Sequence, residues 1–306
     1  MRTTTITYAS KREGKEIIAC IFEPDGKPKG IMQVFHGLAE HMGRYTRFAE
    51  AMTKAGYLVC GADHLGHGVA VSEEERGFFA EENGWDTVIA DGATLAEEVK
   101  ERYPDIPYYI FGHSMGSFMA RYIYLKGLIA ADGIILSGTG NLSALIVKAG
   151  KAIAKLEAKR LGGKDRYSAL VRDLALGGYD KPFKGEGVNA WISSIPEEVA
   201  RYNSDPLCGF PVKVGMFLDM FGGIEYIIDP KNIAKADKEM PILLISGEKD
   251  PVGNMGKGVR AAYNAFCKAG VSDVSMQLYE GCRHELLNDI CREKVIEDLL
   301  TWLSER

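Results

Sequence analysis

Short apolar runs recur along the chain, and most are followed by a segment whose apolar positions repeat at helical spacing. IIACIFEP (17–24) has the composition of a strand, and GIMQVFHG (30–37) is a short apolar run closed by glycine, as a buried strand would be. RYTRFAEAMTKAG (44–56) follows, with Tyr45, Phe48, Ala49, Met52 and Ala55 on one helical face and Gly56 as its stop. YLVCGAD (57–63) predicts the next strand, and WDTVIADGATLAEEVKERY (85–103) a helix with Val88, Ala90, Leu95 and Val99 along its apolar side. After a turn bracketed by Pro104 and Pro107 come the strand YYIFG (108–112), the helix MGSFMARYIYLKG (115–127) and the strand GIILSG (133–138). The same rhythm returns in PILLISGEKD (241–250), GVRAAYNAFCKAG (258–270), DVSMQLYEG (273–281) and REKVIEDLLTWLSE (292–305). Short apolar strands alternating with amphipathic helices predict an α/β fold, with a mostly parallel sheet covered on both faces.

Between these two stretches the alternation stops. Residues 139–235 are mostly helical in pattern, with turn signals at Gly162–Gly163, Gly177–Gly178, KPFKGEG (181–187), SDP (204–206), GFP (209–211) and Gly222–Gly223. A structureless loop of that length is improbable, so the segment is expected to be a helical cap inserted into a core formed by residues 1–138 and 236–306. Such a cap belongs over the carboxyl ends of the strands, where open α/β sheets bind ligands. Inside it, Val212, Val214, Met216, Phe217, Leu218, Met220 and Phe221 form a dense apolar run that either glues cap to core or lines an acyl-chain tunnel.

Composition narrows the function more than the fold. With 37 Lys and Arg against 42 Asp and Glu the formal charge is −5, which gives no broad attraction to phosphate backbones, and a nucleic-acid partner is not expected. Lys148, Lys151, Lys155, Lys159, Arg160 and Lys164 read as one solvated helix face; the functional alternative is a transient contact of the cap with an anionic lipid surface. Six cysteines lie far apart with no CxxC pair, and Cys20, Cys60 and Cys267 are expected to be buried thiols. No secretion signal or 18-residue apolar run is evident, which fits a cytoplasmic enzyme.

The chemistry concentrates at strand ends. GHSMG (112–116) matches G-x-S-x-G between a strand and a helix, the context of a nucleophile elbow, and places Ser114 at the head of the sheet. A serine hydroxyl needs a base; His284 follows the last predicted strand and precedes the last helix, where the base of an α/β-hydrolase stands. Asp250, at the end of LLISGEKD (243–250), is expected to hold that imidazole, with Glu248, Glu285 and Asp289 as rivals. The backbone N–H groups of Leu38 and Met115 are expected to stabilise the oxyanion. His36, His41, His64 and His67 carry H-x-x-H-like spacings without the glutamate or cysteine of a zinc motif, and read as loop hydrogen-bonding groups; His113 reads as a packing residue. No glycine-rich nucleotide loop follows a strand, so neither metal nor organic cofactor is implied.

Taken together, HGLAEHMGRY (36–45), GYLVCGADHLGHG (56–68), GHSMG (112–116), SGEKDPVG (246–253) and GCRHELLND (281–289) resemble the monoacylglycerol lipase and lysophospholipase branch of the α/β-hydrolases. The resemblance runs from about residue 25 to the C-terminus. It implies an eight-stranded sheet with a helical cap, water as acyl acceptor, single-chain lipid esters as substrates, and the same triad and oxyanion donors; Glu40, His41 and Arg44 would support their loop. The chain departs from many relatives at Ser117 and Leu38, and its cap belongs to the family's most variable part. An esterase or thioesterase for small soluble substrates, or an aminopeptidase-like hydrolase, is the alternative.

Overall fold

The computed structural model describes all 306 residues. In chain order the sheet strands are β1 (Arg2–Ala9), β2 (Glu16–Glu23), β3 (Gly30–Phe35), β4 (Tyr57–Ala62), β5 (Tyr108–His113), β6 (Gly133–Ser137), β7 (Ile242–Gly247) and β8 (Val274–Tyr279). The helices are α1 (Thr46–Lys54), α2 (Gly84–Arg102), α3 (Met115–Lys126), α4 (Ala144–Leu161), α5 (Ala169–Ala175), α6 (Pro196–Ser204), α7 (Val214–Ile228), α8 (Pro230–Ile233), α9 (Lys257–Lys268) and α10 (Arg292–Ser304). They surround one eight-stranded sheet of order β1-β2-β4-β3-β5-β6-β7-β8. β2 runs antiparallel to both of its neighbours, and every other pairing is parallel. The mostly parallel sheet is the one expected from the alternating pattern, and its eight strands are those that the resemblance to α/β-hydrolases implies.

β3 to β7 are buried at every position, which is why they read as continuous apolar runs. One face packs on α1 and α10 through Phe48, Met52, Leu299 and Trp302. The other packs on α2, α3 and α9, and its core continues without a break into Met216 and Phe217 of α7. β1 is the strand the pattern did not reveal: its threonines leave most positions exposed, so it lacks a buried strand's signal.

The chain between β6 and β7 carries α4 to α8. α7 is buried against α2 and α3 and against α4 beside it, so the inserted segment sits above the sheet edge at which β5, β6 and β7 end. Arg121 of α3, fully buried, donates to the carbonyls of Gly140 at 2.8 Å and Ile227 at 3.3 Å. It thereby ties both ends of the insertion to the helix that follows the elbow.

Candidate active site

The turn from β5 into α3 is tight enough to forbid side chains beside it. A Cβ on Gly112 would lie 2.3 Å from the carbonyl oxygen of Gly116, and one on Gly116 would lie 1.9 Å from that of Phe35. Ser114 takes φ 52° and ψ −118°, a left-handed conformation that costs a non-glycine residue roughly 1–3 kcal/mol. The surrounding structure holds it there: its N–H donates to Ser137 O at 2.9 Å, and Ser117 Oγ donates to Ser114 O at 2.6 Å. The hydroxyl of Ser117 therefore caps the elbow from within.

His284 lies in the loop after β8 and Asp250 in the loop after β7, both buried. Asp250 Oδ2 accepts from His284 Nδ1 at 3.0 Å and from Ser246 Oγ at 3.1 Å, while Oδ1 accepts from the Val252 N–H at 2.8 Å. A carboxylate with these partners accepts only, which places the proton on Nδ1 and leaves Nε2 as the basic nitrogen. Nε2 is buried without a hydrogen-bond partner, and His284 and Ser114 line the same cavity. Burial pushes the imidazole pKa down, but the charge and hydrogen bond of Asp250 more than offset this and hold it above the usual histidine range. The same pair holds the Asp250 carboxyl below its usual range against the opposing effect of burial. Among the rivals, Glu248 is exposed, Glu285 pairs with Arg44, and Asp289 accepts from the N–H groups of Arg283 and Ser194.

The backbone N–H groups of Leu38 and Met115 meet no protein acceptor. Their loop is braced by Glu40, which accepts from the Gly37 N–H at 2.5 Å and from Tyr45 Oη at 2.8 Å. Arg44 donates to Glu40 at 2.7 Å and to both oxygens of Glu285 at 2.6 Å, so one guanidinium joins the Leu38 loop to the His284 loop.

The remaining histidines have separate roles. His36, His64 and His67 form a buried cluster: His36 Nε2 accepts from the His64 N–H at 3.1 Å, and His67 Nε2 accepts from the Ala39 N–H at 3.2 Å. Burial holds all three below the usual histidine range, so they stay neutral and shape the loop. His41 turns outward to Asp205 at 2.9 Å, and their ligand atoms lie with that of Cys208 within 4.8 Å of one another, close enough to hold a cation. Two cysteine expectations need correction: Cys267 is exposed on α9 and Cys20 is only half-buried, while Cys60 is buried. Cys282 is joined to Cys291 by a disulfide that closes the His284 loop, with 6.5 Å between Cα atoms. A separation of nine residues is no recognisable motif, so nothing in the sequence marked the pair.

A cavity of about 440 Å³ opens over Ser114, lined mainly by apolar side chains that include Leu38, Met115, Phe118, Val212, Met220 and Phe221. Of the apolar run on α7, Met220 and Phe221 thus line the cavity, while Met216 is buried on the face where Gly223 meets Trp85 of α2, and Phe217 is buried beside Phe221. The inserted segment also supplies Trp191 and Tyr179, which sequence patterning did not single out.

A family model described as serine aminopeptidase, S33, matches residues 26–290. The chain belongs to this family. Within the α/β-hydrolase superfamily it is a serine-hydrolase-type enzyme related to esterases and lipases. It is 26% identical to the monoglyceride lipase of Rattus norvegicus over 303 residues, covering 96% of this chain and 88% of the relative. The structure is similar to a highly thermostable carboxyl esterase from Bacillus coagulans in complex with glycerol, with TM-score 0.92, 30% identity and coverage of 100% and 99%. It is also similar to a lipase in an open form, with TM-score 0.90, 27% identity and 99% of both chains covered. No helix is long and apolar enough to cross a membrane.

Proposed function

We propose that the chain hydrolyses esters of single-acyl-chain lipids, monoacylglycerols or lysophospholipids, through an acyl-enzyme on Ser114. His284 takes the hydroxyl proton and passes it to the departing alcohol; Asp250 holds the tautomer and stabilises the imidazolium; the N–H groups of Leu38 and Met115 receive the oxyanion. Residues 139–235 act as the cap. The observation that carries this reading is the mainly apolar cavity of about 440 Å³ over Ser114, to whose lining the cap contributes Met220 and Phe221. Similarity to an esterase solved with glycerol supports glycerol as the alcohol released.

An aminopeptidase would need a free carboxylate to hold the substrate ammonium. Glu40 and Glu285 share Arg44, and Asp180 accepts from the N–H groups of Asn189 and Trp191, so the carboxylates at the cavity are already engaged. A fluorophosphonate probe should label Ser114 and lose its target in Ser114→Ala. Alanine at Ser114, Asp250 or His284 should lower kcat by about 10³ to 10⁶, with losses that do not multiply. Turnover should rise from short esters to long-chain monoacylglycerols; a maximum on short aryl esters or aminoacyl amides would overturn the lipid reading.

The cap also leaves Leu145, Ile146, Leu170 and Leu174 exposed beside the lysines of α4. In this reading they rest on the lipid surface that delivers substrate. Leu145→Ser with Ile146→Ser should reduce co-sedimentation with anionic vesicles while hydrolysis of a soluble short ester is unchanged. Undiminished co-sedimentation would place the contact elsewhere.

A further inference from the structure

The rings of His113, His284, Trp191 and Tyr179 form one continuous row of tilted contacts, with successive centroids 4.7, 4.9 and 5.0 Å apart and interplanar angles of 46°, 41° and 54°. The first two belong to the core and the last two to the cap. Trp191 is held from both sides: its N–H donates to Asp180 Oδ1 at 3.3 Å, and its carbonyl accepts from the His284 N–H at 3.4 Å. The neighbouring carbonyls are held as well. Ile192 O accepts from the Glu285 N–H at 2.7 Å, and Arg283 Nη1 donates to Ala190 O at 2.6 Å and Ser193 O at 3.2 Å. The backbone that carries the indole is therefore fixed from both sides, by Asp180 and by the His284 loop.

An aromatic face attracts a cation and is nearly indifferent to a neutral ring, and tryptophan is the strongest of the natural faces. A base that is neutral before proton transfer and cationic after it therefore gains selectively from an indole laid against it. Resting on the triad reading, we propose that Trp191 is a positioning residue for ester hydrolysis: it fixes the plane of His284 and stabilises the imidazolium formed when the Ser114 proton moves to Nε2. The proton then passes to the leaving alcohol, and the ring returns to its neutral form against the same face.

The other groups facing His284 leave this role to Trp191 and Asp250. His113, whose ring centroid is 4.7 Å from that of His284, is held to about 4 by burial and by the neighbouring His284, and stays neutral. Glu40 and Glu285 raise the ring's pKa less than Asp250 does, and both are paired with Arg44. The Tyr179 hydroxyl, near Asp250, is kept protonated by burial first and by that carboxylate second. The Arg283 guanidinium is turned away, 4.0 Å from the ring centroid of Phe183.

Trp191→Leu keeps an apolar cover and removes only the aromatic face. We expect kcat to fall about tenfold with KM within roughly twofold, and the acid limb of kcat/KM to move down by about one pH unit, because the imidazolium loses stabilisation. Trp191→Phe should restore most of kcat and of the limb. Wild-type kcat and an unmoved limb in Trp191→Leu, or Trp191→Phe as impaired as Trp191→Leu, would overturn the proposal. If the leucine variant does not fold, Trp191→Met gives the same contrast with a more adaptable side chain. Turnover surviving in His284→Ala would instead overturn the triad reading, which keeps the two failures distinct.

Discussion

The cap meets the core along two seams of opposite character. At one, residues 190–194 meet the His284 loop through the Trp191 ring and a set of hydrogen bonds: Arg283 to the carbonyls of Ala190 and Ser193, Asp289 accepting from Ser194, and Ser193 Oγ donating to Asn288 O at 2.7 Å. At the other, α7 meets α2 and α3 on the face that carries Met216, Gly223 and Ile227, all buried: a Cβ on Gly223 would fall 2.3 Å from the Trp85 indole, and the Tyr226 and Tyr122 ring centroids are 4.8 Å apart. Apolar burial is adhesive but non-directional, whereas hydrogen bonds to fixed carbonyls set position to within a few tenths of an ångström. The seam that touches the proposed base is the directional one. The α7 seam supplies adhesion, and the 190–194 seam supplies register.

That division is broken most directly at Met216, which is buried on the face of α7 that it shares with Gly223 and does not line the cavity. Met216→Ala should cost about 2–5 kcal/mol of stability, read by denaturant unfolding, while kcat of the folded protein stays at the wild-type value. A matching fall in kcat would show that the adhesive seam also sets active-site geometry.

The next largest effect belongs to the polar seam. Arg283→Leu preserves bulk but leaves the carbonyls of Ala190 and Ser193 without their donor, and frees Glu186 from its 2.5 Å ion pair. Misplacing the base by about 1 Å should lower kcat about 10²-fold, with a smaller stability loss of about 2 kcal/mol. A stability loss larger than the kinetic one would reverse the assignment of the two seams.

The same contrast explains what the sequence made legible. Ser114, Asp250 and His284 could be named as candidates because each stands where a strand of recognisable composition ends, so a local signal marks a point on a shared edge. The sheet was readable for a related reason: buried strands are apolar throughout, and only β1, with its exposed threonines, escaped. Trp191 was not readable. Its importance lies in a register between residues near 190 and residues near 284, which no periodicity encodes, and KPFKGEGVNAW reads only as a turn. Arg121, Arg283 and the Cys282–Cys291 pair were hidden likewise, since each acts through partners chosen by the tertiary fold.

The smallest effect tests the one carboxylate in the adhesive seam. Asp219 of α7 lies against the first turn of α2: a Cβ on Gly84 would fall 2.1 Å from its Oδ2, an atom that has no hydrogen-bond partner. Burial pushes this carboxyl up to about 7, with Lys164 opposing and Asp86 adding to the shift. In the unfolded chain the group ionises near 4, so between about pH 4 and 7 the native state binds more protons and loses stability as pH rises. Asp219→Asn removes that slope. The positive end of α2 favours the anion and offsets part of the burial penalty, so the gain should be about 1 kcal/mol at pH 8 and near zero at pH 4. Paired thermal melts at the two pH values read it. An equal gain at both would mean that Asp219 is destabilising through its shape, and a loss at pH 8 would mean that its charge binds α7 to the helix terminus, making this seam directional too.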